Sequence, residues 1–306
     1  MTITRVSEDS VPGPHGPVPV RVYEPVQPEG TGLVWLHGGA FYQGDLDVPE
    51  ADWVSRRLAE AGITVVSVDY RLALDGVHFP VPGDDVLAAW TWATGEHRLG
   101  VAPENWHLGG GSAGGNLAAS VAMQARDGRG RLPRSSVLVY PVLHDQVPPA
   151  SAELRAKVAR LPQDEQFSPE ASRELNLNYV GQEDLLTHPY AFPANGVLDG
   201  LPPTLIVNSD HDGLRASGEA YAAALALAGV DVTVVREVGV GHGHLNETSA
   251  PGARRTVRRI SAWLTRPDLI GEAHEPPVDG APTSAGVTDP QSAARGGEPA
   301  APTSVR

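Results

Sequence analysis

Short apolar runs alternate along the chain with longer segments in which apolar residues recur three and four apart. The runs at 33–36, 64–69, 106–109, 137–140, 204–208 and 232–237 have strand length. The segments 47–61, 82–95, 113–126, 215–228 and 253–265 carry helical periodicity. Val65, Val66, Ser67 and Val68 lack polar alternation, the pattern of a strand buried on both faces. Strand and helix in succession predict an α/β fold around a mostly parallel sheet. The beginning departs from this rhythm. Residues 18–23 follow the turn-forming Pro14, His15, Gly16 and Pro17 and read as the second arm of a hairpin, so the sheet opens with antiparallel strands.

Two segments break the alternation. Between 145 and 200 the chain shows no strand pattern, three helix-like pieces and many prolines. A connection of that length inside a compact domain is usually functional, and this one reads as a lid. From 272 to 306, Pro, Gly, Ala, Ser and Thr supply 23 of 35 residues, with no aromatic residue and no leucine. Such a stretch has too little to bury to offset its ordering entropy, so it reads as a disordered tail. The expected organisation is one folded domain over 1–271, a lid insertion at about 145–200 and the tail over 272–306.

Composition narrows the function. Across 306 residues, 23 basic side chains face 37 acidic ones, a formal charge of −14. That sign opposes binding to a phosphate backbone, and no nucleic-acid partner is expected. Cysteine is absent, which excludes disulfide frameworks, thiolate metal sites and cysteine nucleophiles. No apolar run reaches bilayer-spanning length, and the opening MTITRVSEDS lacks the basic start and apolar core of a secretory signal. The expectation is a cytoplasmic protein with no membrane partner, acting on a small molecule.

Gly110, Gly111, Ser112, Ala113 and Gly114 stand where a strand runs into an alanine-rich helix. This is the G-x-S-x-G pattern, in which a strained turn points a nucleophilic hydroxyl out above a sheet. Taken alone, it is equally a glycine turn with a helix-capping serine. Gly109, Gly111 and Gly114 also fit a dinucleotide fingerprint, but that motif requires an acid at the end of the next strand. Val139, Tyr140 and Pro141 stand there instead. A second signal, His37, Gly38, Gly39, Ala40 and Phe41, follows the first parallel strand. It has the form of a loop whose backbone N–H groups stabilise an oxyanion.

A serine nucleophile on such a fold takes its acid and then its base from later in the chain. Asp210 and Asp212 follow the penultimate strand, and His242 and His244 follow the last. Both positions are at strand ends where open α/β sheets bind ligands. Two acids and two histidines are thus available. The paired histidines could also suggest a metal, but no further ligand cluster accompanies them, so no metal and no cofactor is expected.

In sum these residues resemble the hormone-sensitive-lipase-like carboxylesterases of the α/β-hydrolase superfamily. The likeness extends over about 15–265. It includes Asp69, Tyr70, Arg71 and Leu72; the run Gly110 through Ala118; Tyr140 and Pro141; Leu201 through Thr204; Asp212 through Arg215; Ala228, Gly229 and Val230; and His242 with Gly243. The resemblance implies an α/β-hydrolase fold with Ser112 as nucleophile, Asp212 as acid and His242 as base. It implies an oxyanion hole formed by the N–H groups of Gly39, Ala40 and Ala113, and pairing of two copies through the last strand and helix as a homodimer. Three departures stand out. Gly111 replaces the usual aspartate of the elbow, His244 replaces the usual aromatic residue, and little chain precedes residues 18–23 to build a cap. Phe41, Tyr42 and His244 are the expected substrate-binding residues beside the lid. The expected activity is hydrolysis of short-chain carboxylic esters through an acyl-enzyme. The alternatives are an amidase or formamidase with the same triad, or a non-catalytic binding protein on a hydrolase scaffold.

Overall fold

The computed structural model describes residues 5–95 and 99–266. Eight strands form one sheet: β1 (Arg5–Val11), β2 (Val18–Glu24), β3 (Thr31–Leu36), β4 (Ile63–Val68), β5 (Trp106–Gly111), β6 (Ser136–Val139), β7 (Thr204–His211) and β8 (Val232–Gly241). Their order across the sheet is β1-β2-β4-β3-β5-β6-β7-β8. β1 and β2 form the antiparallel hairpin expected from the turn at 14–17, and β2 also lies antiparallel to β4. From β4 onward every pairing is parallel.

The two-residue period of a strand divides the core into two layers. Leu33 and Trp35 of β3 point to one side, where α1 (Asp52–Glu60) and α7 (Pro251–Leu264) bring Val54, Leu58, Ile260 and Trp263. Val34 and Leu36 point to the other, against α2 (Val81–Ala93), α3 (Ala113–Gln124) and α6 (Arg215–Leu227). Helix patterning follows position. In α7, Val257, Ile260 and Leu264 face inward while Arg254, Arg258 and Arg259 face solvent. Every residue of α3 is buried, because alanines and glycines let its backbone press onto the sheet beneath the lid.

Helix α1 begins five residues later than the periodicity suggests. The Asp45 carboxylate accepts the N–H groups of Asp47 (2.8 Å) and Val48 (3.1 Å) in a local turn that competes with helix. β7 and β8 run three and four residues past their apolar runs, a difference that matters for the site.

The segment 145–200, expected to serve as a lid, contains α4 (Ala152–Val158) and α5 (Pro169–Val180), joined and followed by short 3-10 turns. Ser151 and Ser168 cap the two helices by accepting the N–H groups of Leu154 and Ala171. Tyr179, Val180, Leu186 and Phe192 insert into the same apolar core as α3, so the lid is packed onto the sheet rather than laid over it. Among the described residues no helix is long and apolar enough to cross a membrane. The expected tail over 272–306 falls outside the described residues.

Candidate active site

Ser112 stands between β5 and α3 with φ 52° and ψ −116°, a conformation that costs an L-residue roughly 1–3 kcal/mol. The flanking glycines are a steric requirement. A Cβ on Gly114 would lie 2.3 Å from the Leu36 carbonyl oxygen, and one on Gly110 would lie 2.6 Å from it. The turn therefore packs backbone on backbone, and the serine side chain is the first group free to point out of it.

Register brings the remaining groups together. Along β7 and β8, Ser209 pairs with Glu237 and His211 with Gly241, so β8 bulges by two extra residues between these rungs. Gly239 supplies a positive φ of 76° inside the bulge. The last rung leaves Asp212 and His242 as adjacent residues at the strand ends. His242 Nδ1 lies 2.8 Å from Asp212 Oδ2, and His242 Nε2 lies 2.9 Å from Ser112 Oγ. The other Asp212 oxygen accepts the N–H of Leu214 at 2.9 Å, which fixes the carboxylate. Burial by itself would lower the His242 pKa. The charge and hydrogen bond of Asp212, with a contribution from Glu50, outweigh it and raise the pKa above its ordinary value.

The loop after β3 faces the serine. Gly39, Ala40 and Phe41 have φ of 119°, 51° and 68°, three successive positive values. A Cβ on Gly39 would fall 2.0 Å from the Gln43 carbonyl oxygen, so only glycine fits. Among the described residues the N–H groups of Gly39 and Ala40 have no acceptor. Ala113 opens α3, where first-turn N–H groups lack intrahelical partners. Tyr70 secures the loop, its O–H donating to the His37 carbonyl at 2.7 Å and its ring stacking on His37 at 4.5 Å.

The cavity at Ser112 measures about 20 Å³ and is lined by Ala40, Phe41, Phe167, Leu175 and Leu214 among others. That is room for about one water. Phe167, on the lid, meets the His242 ring edge-on at 4.6 Å, and Phe41 stacks on Tyr179 at 3.8 Å. A wider groove of about 730 Å³, lined by Trp53, Arg57, Arg254 and Arg258 of α1 and α7, shares no residue with this site.

Two expectations require correction. Tyr42 is half-buried and does not line the cavity, because the left-handed turn at Ala40 and Phe41 directs Phe41 inward in its place. His244 is not a pocket wall. Gly243 turns the chain into the core, leaving His244 1% exposed, with Nδ1 2.9 Å from Ser209 Oγ and Nε2 2.8 Å from Thr256 Oγ1. Burial holds its pKa down to about 4, so it is a neutral bridge between β7 and α7. His242 and His244 serve different partners and converge on no common point. His244→Ala should therefore act on stability, by about 2–3 kcal/mol for two buried partners left unpaired. A thermal melt checks this, and an unchanged melting temperature would contradict it.

Asp210, the other acid candidate, has no bond to His242. Lys157 of α4 (2.5 Å), Arg215 (3.3 Å) and Arg236 (3.5 Å) surround it, and its second oxygen accepts the Gly239 N–H at 3.1 Å. It ties the lid and the β8 bulge to β7. Glu50, Tyr140 and Phe167 were not singled out as site residues from the sequence, although Tyr140 and Pro141 belong to the run that carried the resemblance.

The sheet order, with an outward-turned serine at the end of β5, places the molecule among α/β hydrolases. The chain belongs to the α/β-hydrolase fold family, which it matches over residues 33–246. It is 37% identical over 259 residues to carboxylesterase NlhH of Mycobacterium tuberculosis, covering 81% of this chain and 78% of that protein. It is 30% identical to arylacetamide deacetylase of Oryctolagus cuniculus over 81% of this chain and 77% of that one. Among solved structures, the hyperthermophilic esterase of the archaeon Pyrobaculum calidifontis is similar with a TM-score of 0.78 and 33% identity, covering 87% of this chain and 84% of that one.

Proposed function

We propose that this chain is a serine carboxylesterase in which Ser112 is the nucleophile, His242 the general base and Asp212 its orienting acid. The observation that carries the reading is the hydrogen-bonded series from Ser112 Oγ through both nitrogens of His242 to Asp212, at 2.9 and 2.8 Å. His242 Nε2 takes the hydroxyl proton as Ser112 Oγ forms a bond to the ester carbonyl carbon. The resulting oxyanion lies within reach of the N–H groups of Gly39, Ala40 and Ala113. Collapse breaks the carbon–alkoxy bond, and the leaving alcohol takes the proton back from His242. Water then repeats the sequence on the acyl-enzyme, releasing the carboxylic acid and restoring Ser112. Asp212 holds the Nδ1–H tautomer and stabilises the imidazolium.

The confined cavity supports a preference for short acyl groups. Each buried methylene contributes ~0.8 kcal/mol only where there is space to bury it. Here Phe41, Phe167 and Leu175 close the space after about one water's volume. Any acyl group must push Phe41, Phe167 and Leu175 aside, and each added carbon pushes them further, so a series of p-nitrophenyl esters should give maximal kcat/KM at about two to six acyl carbons. A maximum at twelve carbons or more would refute the preference, and absence of turnover on every ester would overturn the esterase reading. Amide hydrolysis is the second reading, favoured by the similarity to a deacetylase of arylacetamides. It uses the same acyl-enzyme, and turnover of an acetanilide against the matching acetate ester separates the two.

A further inference from the structure

Glu50 follows Pro49 just ahead of α1, a position where a carboxylate ordinarily faces water. It is 3% exposed. Its Oε2 accepts the N–H of Gly38, in the loop facing Ser112, at 2.9 Å, and its Oε1 accepts the Tyr140 O–H at 2.8 Å. Its own N–H donates to Asn246 Oδ1 (3.0 Å), beyond β8, and its carbonyl accepts the Trp35 indole N–H (2.8 Å) from β3. One residue thus joins the oxyanion loop, the end of β6 and the turn that follows the base.

Burying a carboxylate away from water costs several kcal/mol unless its lone pairs are well bonded. Burial pushes the Glu50 pKa up, while Tyr140, the Gly38 N–H and His242 draw it back. The carboxylate also takes the space above the elbow. A Cβ on Gly111 would lie 1.6 Å from Glu50 Oε1 and 3.0 Å from the Tyr140 ring. There is room here for one acidic side chain, and it arrives from position 50 rather than from position 111. Tyr140 in turn meets the His242 ring edge-on at 5.1 Å.

We infer that Glu50 is a positioning residue of the acyl-transfer centre: seated over Gly111, it fixes the oxyanion loop through Gly38 and supports the positive charge that His242 acquires. The groups facing His242 are Ser112 from the elbow, Asp212 just after β7, Tyr140 just after β6, Phe167 from the lid and His244 on its own loop. Asp212 and Glu50 are the acids acting on it, and His244 is neutral. Removing the Glu50 charge therefore makes the imidazolium less stable.

The inference rests on the esterase reading. Wild-type turnover tests that reading separately, since an inactive wild type overturns both, whereas an active one lets the variants address Glu50 alone. Glu50→Gln keeps the shape and an acceptor for Gly38 but removes the charge. It should lower kcat about tenfold with KM within about threefold, and move the acid limb of kcat/KM to lower pH. Glu50→Ala, which also frees the loop, should lower kcat on the order of 10²-fold, the scale of one mispositioned oxyanion donor. Adding Gly111→Asp to Glu50→Ala should restore at least about tenfold of that loss by refilling the same space, with a slight shift of the Tyr140 ring. In the presence of Glu50, Gly111→Asp should abolish activity, because two carboxylates compete for one volume. Wild-type kcat and an unmoved acid limb in Glu50→Gln would overturn the inference. If Glu50→Gln does not fold, the double variant decides by its recovery over Glu50→Ala, and a double variant that also fails to fold assigns Glu50 to folding and overturns it.

Discussion

Ser112→Ala is expected to lower kcat on short esters by on the order of 10⁶ while leaving the fold intact. Alanine keeps the Cβ and removes only Oγ, the atom 2.9 Å from His242 Nε2. The strained backbone at φ 52° is held by the Gly110 and Gly114 contacts with Leu36, not by the hydroxyl. Stability should therefore stay within about 1.5 kcal/mol of wild type, the scale of the single hydrogen bond to His242 that is lost. What rate remains would come from the oxyanion donors acting on a water nucleophile. A fluorophosphonate probe should label the wild type at Ser112 and leave the variant unlabelled. Residual kcat within tenfold of wild type would remove Ser112 from the mechanism, and an unlabelled wild type would favour a binding protein on a hydrolase scaffold.

Loss of the base or of its acid should cost ~10³–10⁴ in kcat, by different routes. His242→Ala leaves the Ser112 hydroxyl with no acceptor. Asp212→Asn keeps the shape, but an amide facing Nδ1 favours the tautomer that carries its proton on Nε2, where the serine proton must go. The pH profile distinguishes these roles. His242 must be neutral to accept a proton, and Asp212 and Glu50 raise its pKa above 6.5, so the acid limb of kcat/KM should have its midpoint above 6.5. Asp212→Asn should move that limb down in pH as well as lowering its plateau. Stability runs the other way. A histidine whose pKa rises on folding stabilises the folded state fully below its unfolded value of 6.5 and loses that contribution as pH climbs through the raised value. Activity should thus appear across the same window in which this contribution to stability fades. A rate and a melting temperature that rise together through that window would contradict the assignment of the base.

The local signals in the chain were sufficient for the frame. Runs without polar alternation such as Val65 to Val68 mark strands buried on both sides, and the spacing in α7 marks its inward stripe, because periodicity acts between neighbours in sequence. Gly110 to Gly114 marked the elbow for a related reason: only small residues permit that backbone, so the constraint is written where it acts. The mostly parallel pairing was legible from the alternation of strand and helix, and the antiparallel opening from the turn residues at 14–17, whereas the order of strands across the sheet was not.

Side chains whose partners are distant in sequence were not legible. Nothing near His244 indicates that its ring bridges Ser209 and Thr256, and a histidine in a glycine-rich loop ordinarily faces solvent. Asp210 and Asp212 have the same local chemistry. Lys157, 53 residues away, and the Gly239 bulge claim the first for structure, while the register of β7 against β8 delivers the second to His242. Glu50 is the extreme case. It meets Tyr140 across 90 positions and, among the described residues, is buried without a basic side chain bonded to its carboxylate, an arrangement with no sequence signature because its stabilisation comes from groups that folding brings to it. The chain by itself determined the sheet, the elbow and the types of residue that could react. The family resemblance of the motifs singled out Asp212 and His242, but only tertiary structure brings them to the serine, because hydrogen-bond geometry at 2.8–2.9 Å depends on strand register and not on local pattern.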